Sequence, residues 1–161
     1  MVVIFLGKLY NIVRGGEFVR NETLRRLIGK NSYYYLTKFQ KIEDTNTKVS
    51  FNVSGFLFSY FWLSYRKMHK EAIIAFVLTV ICNSVQPTSG LILSILIGAF
   101  GNYMYYKHLT NHYEYMQTLD SVKQEAFIDA VGGTSWKWIL IYWAITISFF
   151  MLAISSLLLI L

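Results

Sequence analysis

His108 and His112 are four residues apart. On a helix that spacing puts both imidazoles on one face, the arrangement by which two histidines hold a zinc ion from a single helix. No glutamate adjoins the first histidine, and Glu114, two residues past the second, points elsewhere. The pair therefore reads as ordinary polar residues at the membrane end of a helix rather than as metal ligands. Cys82 is the one cysteine and stands among Val80, Ile81 and Val85. No basic residue stands beside it in the sequence, so it reads as a small packing residue and not a nucleophile. A single cysteine also rules out a disulfide framework. There is no phosphate-binding glycine loop, no Gly-x-Ser-x-Gly elbow and no pair of carboxylates in an apolar setting. The expectation is a non-enzyme with no catalytic residues, no cofactor and no bound metal.

The elements that carry these residues are set by where charge is missing. Charged residues make up 15% of the 161 positions, against roughly 25% in soluble domains. Ala72–Tyr106 holds none, and neither does Trp138–Leu161. About 20 apolar residues cross a bilayer core. The second stretch is long enough for one crossing. The first is interrupted by Gln86-Pro87-Thr88-Ser89-Gly90, a turn signal, and reads as a hairpin of spans over about 69–86 and 89–107. Between Ala72 and Tyr106 and from Trp138 onward the spans carry no Asp, Glu, Lys or Arg, which weighs against a proton-coupled carrier. Gly55–Tyr65 is apolar and aromatic but too short to span. It reads as an interfacial or re-entrant segment.

Basic residues flank the spans on one side only: Arg66, Lys67 and Lys70 before the first, Lys107 after the second, Lys137 before the third. The positive-inside rule then puts the N-terminal region and the 107–137 loop in the cytoplasm, and the 86–90 turn and Leu161 outside. Trp62, Tyr65, Arg66, Lys67, Trp136, Lys137 and Trp138 are the expected membrane-interface residues, with Arg66 and Lys67 on lipid phosphates. Gly90, Ser94, Gly98 and Gly101 form a stripe of small residues that lets helices approach closely. It serves packing within the chain or a homo-oligomer, and Ala144 and Ser148 of the third span are candidates to face it.

Residues 1–54 carry nine basic and four acidic side chains, a charge that attracts an anionic leaflet and also keeps the region inside. Met1–Leu6 reads as a short amphipathic helix rather than a cleaved signal. Leu24, Leu27 and Ile28 suggest a short helix ending before Gly29. Tyr35, Leu36, Phe39 and Ile42 are spaced as a second helix, capped by Asn31 or Ser32. Residues 108–135 are acidic and spaced as one amphipathic helix ended by Gly132-Gly133. The acidic loop and the basic region lie on the same side, free to pair or to present two faces to a partner.

The strings Gly29-Lys30-Asn31-Ser32-Tyr33-Tyr34-Tyr35-Leu36-Thr37-Lys38-Phe39, Val49-Ser50-Phe51-Asn52 and Phe61-Trp62-Leu63-Ser64-Tyr65-Arg66-Lys67-Met68 resemble an uncharacterised family of small bacterial integral membrane proteins, known as a domain of unknown function. Gly101-Asn102-Tyr103 and Gly132-Gly133-Thr134-Ser135 also fit, and Tyr-Arg-Lys-Met is the most specific element. The resemblance implies a bacterial source and a bend before Trp62, where this chain has Ser59-Tyr60-Phe61 in place of the family's Gly-Pro. It implies no activity.

These readings combine into an all-α membrane protein with three transmembrane helices. Its parts are a basic region (1–54), an aromatic segment (55–67), a hairpin (68–107), an amphipathic helix (108–135) and a third span (136–161). It sits in the bacterial cytoplasmic membrane with its N-terminus inside. The expected function is a scaffold or accessory partner of a membrane complex, touching anionic headgroups and no nucleic acid. The alternatives are an immunity protein against a toxin or bacteriocin, and a passive oligomeric channel lined by Asn83 and Asn102.

Overall fold

The computed structural model describes residues 22–160; the expected helix over Met1–Leu6 lies outside them. Among the described residues every regular element is a helix: α1 (Glu22–Ile28), α2 (Ser32–Thr45), α3 (Val53–Tyr65), α4 (His69–Val85), α5 (Ser89–Met116), α6 (Ser121–Val131) and α7 (Trp136–Ile160). α3, α4 and α5 pack on one another, α7 docks on α3, and α1, α2 and α6 form a cap around the last turns of α5.

The cap follows the sequence pattern closely. α2 buries Tyr35, Leu36, Phe39 and Ile42, the side that repeats every three to four residues. α1 buries Leu24, Leu27 and Ile28 and ends at Gly29, whose φ of 66° gives the left-handed turn that glycine adopts without strain. Asn31 holds the N-cap position of α2, also left-handed, but makes no side-chain cap bond. The basic and acidic regions do pair: Arg26 meets Glu125 at 2.7 Å and Asp129 at 3.0 Å. These hydrogen bonds raise the Arg26 pKa, although the group is exposed.

Two boundaries differ from the sequence reading. α5 does not stop near Lys107 but runs on to Met116, and residues 108–135 are the tail of α5, a turn and the separate helix α6. Asp120 causes the restart, since its Oδ1 accepts from Lys123 N at 2.9 Å as an N-cap. The apolar spacing carries on across this break and conceals it.

Among the described residues, one helix is long and apolar enough to cross a membrane by length and composition, over Trp136–Ser156. α4 has 17 residues. Its outward face is nevertheless apolar and uncovered at Ile73, Ile74, Val77 and Ile81, as is that of α5 at Leu91, Ile92 and Ile95.

Before α3, residues 47–52 form no helix and run beside the middle of α5. Ser50 N donates to Ala99 O at 2.9 Å and Asn52 N to Gly98 O at 2.7 Å. α3 itself is broken at Ser59, where φ 44° and ψ −121° are not helical. The bend implied before Trp62 is thus present, without the residue types that make it easy.

Candidate functional site

The elements converge on the Tyr65-Arg66-Lys67-Met68 turn between α3 and α4. Arg66 points inward and is 3% exposed. Its Nη1 donates to the carbonyls of Ile28 (3.1 Å) and Lys30 (3.0 Å), at the C-terminal end of α1. The guanidinium lies 4.2 Å from the Tyr35 ring centroid and 5.2 Å from that of Tyr105. Such faces favour a cation. Its Nε is buried without an acceptor, and no carboxylate pairs with it among the described residues. Lys67, at φ 59°, turns the other way and donates to Ala130 O (3.0 Å) and Gly132 O (2.6 Å), at the end of α6. Burial lowers its pKa. The two cations therefore cap the negative ends of two helices. Both cations thus have carbonyl partners within the chain, which the expectation of lipid phosphates alone did not include. Tyr65 O accepts from Ser135 N (3.0 Å), and the Tyr65 ring lies 5.3 Å from that of Trp136. Met68 is fully buried.

Trp62 is also internal, its Nε1 donating to Tyr35 OH at 3.3 Å. Trp136, Lys137 and Trp138 are exposed at the start of α7.

A second polar cluster lies one level away, in the middle of α5. Asn102 is fully buried. Its Oδ1 accepts from Asn52 Nδ2 at 2.8 Å, and its Nδ2 donates to Ser50 O at 3.1 Å and Phe51 O at 3.3 Å. Asn52 Oδ1 in turn accepts from Gly55 N at 2.8 Å, capping α3. The small-residue stripe makes room for this. A Cβ on Gly98 would stand 2.8 Å from Phe56 Cβ, and one on Gly101 3.3 Å from the Trp62 ring. Gly90 lies against Asn83 instead, its N donating to Asn83 Oδ1 at 2.8 Å, and Ser94 is half-buried. Gly98 and Gly101 thus meet α3, while Ala144 and Ser148 of α7 are exposed.

The three histidines share a cavity of about 600 Å³ with Glu71, Lys70 and Lys107. His108 and His112 have ring centroids 4.3 Å apart, and His112 Nδ1 sits 2.8 Å from His108 O. Burial, then the neighbouring His112 and His69, pushes the His108 pKa down to about 4. His108 is therefore neutral near pH 7, and its 4.0 Å approach to Glu71 is not an ion pair there. Among the described residues no three His, Cys, Asp or Glu groups converge as metal ligands. Cys82 is half-buried and free.

The sequence reading named Arg66 and Asn102 but not their partners. It quoted Asn52 only within a family-like string and gave neither Asn52 nor His69 a role; the signal for His69 is its place one turn from Arg66 and Lys67 at the head of α4.

No curated protein and no solved structure matches the chain. A family model described as "Protein of unknown function (DUF2628)" matches residues 16–111, more than half of the sequence. With the Tyr-Arg-Lys-Met turn and both asparagines inside the matched region, the chain belongs to this family of unknown function.

Proposed function

We propose that the chain is a multi-pass bacterial inner-membrane scaffold with α4, α5 up to Lys107 and α7 as three spans. The observation that carries this reading is the uncovered apolar surface shared by these helices, together with the way the non-helical segment beside them is satisfied. A bilayer tolerates irregular backbone only where protein covers its polar groups. Residues 50–52 meet that condition through Gly98 O, Ala99 O and Asn102, while Val49, Phe51 and Val53 turn apolar side chains outward. Gly98 lies nine residues from Lys107, about 14 Å at 1.5 Å per residue, near mid-membrane. Residues 47–65 are then a re-entrant hairpin that descends beside α5 and returns through the bent α3.

The cap of α1, α2 and α6 lies in the cytoplasm in this reading. Arg66 and Lys67 fix it to the membrane part. It presents Arg25 and Lys41 outward, a basic face for an anionic leaflet or an acidic partner. A rigid cap on a membrane anchor suits a scaffold or accessory subunit. The channel alternative loses support because the Asn102 amide and the Asn83 Oδ1 are engaged within the chain.

Single cysteines placed in a Cys82→Ser background test the topology. An impermeant thiol reagent applied to intact cells should label Thr88→Cys and spare Lys41→Cys. The reverse pattern, or protection of both, ends the three-span reading. Affinity purification in mild detergent then identifies the partner.

A further inference from the structure

A second cavity, of about 480 Å³, opens between the start of α2, α3 and the first turns of α7. This is within the roughly 300–1,000 Å³ of small-molecule sites. Its walls are graded. At the end near the cap stand Lys30, Asn31 and Arg66; toward mid-membrane stand Phe58, Phe61, Ile139 and Trp143. Arg66 is the unusual member. It is almost fully buried, has no carboxylate among the described residues, and its Nε lacks an acceptor. A buried cation ordinarily has an anion or a full set of hydrogen bonds. Lys30 is exposed at the same mouth and makes no ion pair among the described residues. Phe58 and Trp143, further along the wall, are themselves more than half exposed.

We propose that this cavity holds one anionic phospholipid. Its phosphate sits between Lys30 and Arg66, and one acyl chain lies along Phe58, Phe61, Ile139 and Trp143. The lipid brings an anion to the edge of Arg66, which has no carboxylate among the described residues, and covers aromatic surface that α3 and α7 leave open. The assignment rests on the membrane reading above and narrows it from general attraction to a leaflet to a single seat. An oxyanion takes charge-assisted bonds from both cations. A zwitterionic headgroup places its own cation beside Lys30 and is disfavoured.

The test uses the full chain purified in a non-ionic detergent, with bound lipid counted by native mass spectrometry. Phosphatidic acid and phosphatidylcholine of equal chain length are the probes. Phosphatidic acid should be retained about tenfold better, and Lys30→Gln should remove most of that preference, the worth of one charge-assisted bond. Lys30 is exposed, so this variant keeps the fold, as a thermal melt verifies. Ile139→Trp, which fills the cavity, should abolish retention of the lipid. Equal retention of the two lipids, or retention indifferent to both variants, overturns the proposal. Displacement of phosphatidic acid by millimolar inorganic phosphate also overturns it, since a soluble anion is then the occupant. The cysteine labelling above is independent of these results, so the site and the topology fail separately.

Discussion

Replacing Asn102 by Leu keeps its branched shape with somewhat more bulk and removes its hydrogen bonds. In the wild type that amide joins α5 to the segment before α3: it accepts from Asn52 and donates to the carbonyls of Ser50 and Phe51. The variant leaves a buried Asn52 donor and two backbone acceptors with fewer partners. A buried polar group left without a partner costs about 1–3 kcal/mol, whereas side-chain pairs between membrane helices average only about 0.6 kcal/mol because the unfolded segments find other partners. The larger figure applies to the irregular backbone at 50–52, which has no helix of its own to satisfy it. The smaller applies to the Asn52–Asn102 pair. Asn102→Leu should therefore cost about 2–4 kcal/mol, mostly through the backbone acceptors. Asn52→Ala should cost about 1–2 kcal/mol, since it loses the pair and the cap on Gly55 N. In a double-mutant cycle the two should share about 0.5–1.5 kcal/mol of coupling. Unfolding of purified protein in mixed micelles with increasing dodecyl sulfate, followed by circular dichroism, measures all four corners. Strict additivity, or an Asn102→Leu variant as stable as wild type, would refute the view that this pair holds the hairpin.

Ser59→Gly should stabilise the protein by about 1–2 kcal/mol, because φ 44° with ψ −121° is a conformation glycine adopts without strain and Ser59 Oγ is buried without a partner; a lower melting temperature would show the bend to be unstrained. Gly98→Leu should cost about 1–3 kcal/mol by overpacking against Phe56 and Phe51, while Ile92→Phe on the uncovered face should leave stability unchanged. Acidification should weaken the fold through His108. Its folded pKa near 4 lies below the ordinary 6.5, so the unfolded chain takes the proton first, and stability present above about pH 6.5 is lost progressively toward pH 4. Discounted for partial solvent screening, about 1–2 kcal/mol goes between pH 7 and 5, and His108→Asn should flatten that part of the melting-temperature profile. Half-buried Glu43, whose pKa is raised by burial, acts in the opposite sense, so the comparison is made between variant and wild type.

The parts legible in the sequence are those coded by local period or by a turn residue. Tyr35, Leu36, Phe39 and Ile42 are spaced for burial and are buried; Gly29 ends α1; Pro87 and Gly90 mark the turn between α4 and α5. The polar contacts were not legible, because their partners lie far along the chain and in segments without period. Asn102 reaches Asn52 across fifty residues, into a stretch without helical or strand period. Arg66 lies beside a span, and charge counting puts such a residue at the surface. What turns it inward is the C-terminal end of α1, thirty-eight residues upstream at Ile28. The break at Asp120 was legible in principle, as an N-cap residue followed by a helix, but the continuing apolar spacing carried more weight.

The Tyr-Arg-Lys-Met string then has a physical reason that neither a topology signal nor a lipid anchor supplies. Two successive residues cap two different helices, and this requires them to point in opposite directions. Lys67 achieves it with a left-handed backbone at φ 59°, which a non-glycine residue holds only when its surroundings impose it. Arg66 reaches the carbonyls of Ile28 and Lys30 through Nη1 alone while its flat guanidinium rests on the Tyr35 ring, and that stacked face is what a lysine would lose. Tyr65 offers its carbonyl to Ser135 just before α7, and Met68 starts α4. Four residues thus tie α1, α6, α7 and α4 to the end of α3. A displacement of α3 is thereby carried to both the cap and the hairpin, whereas a purely topological role for the two charges would require none of these contacts.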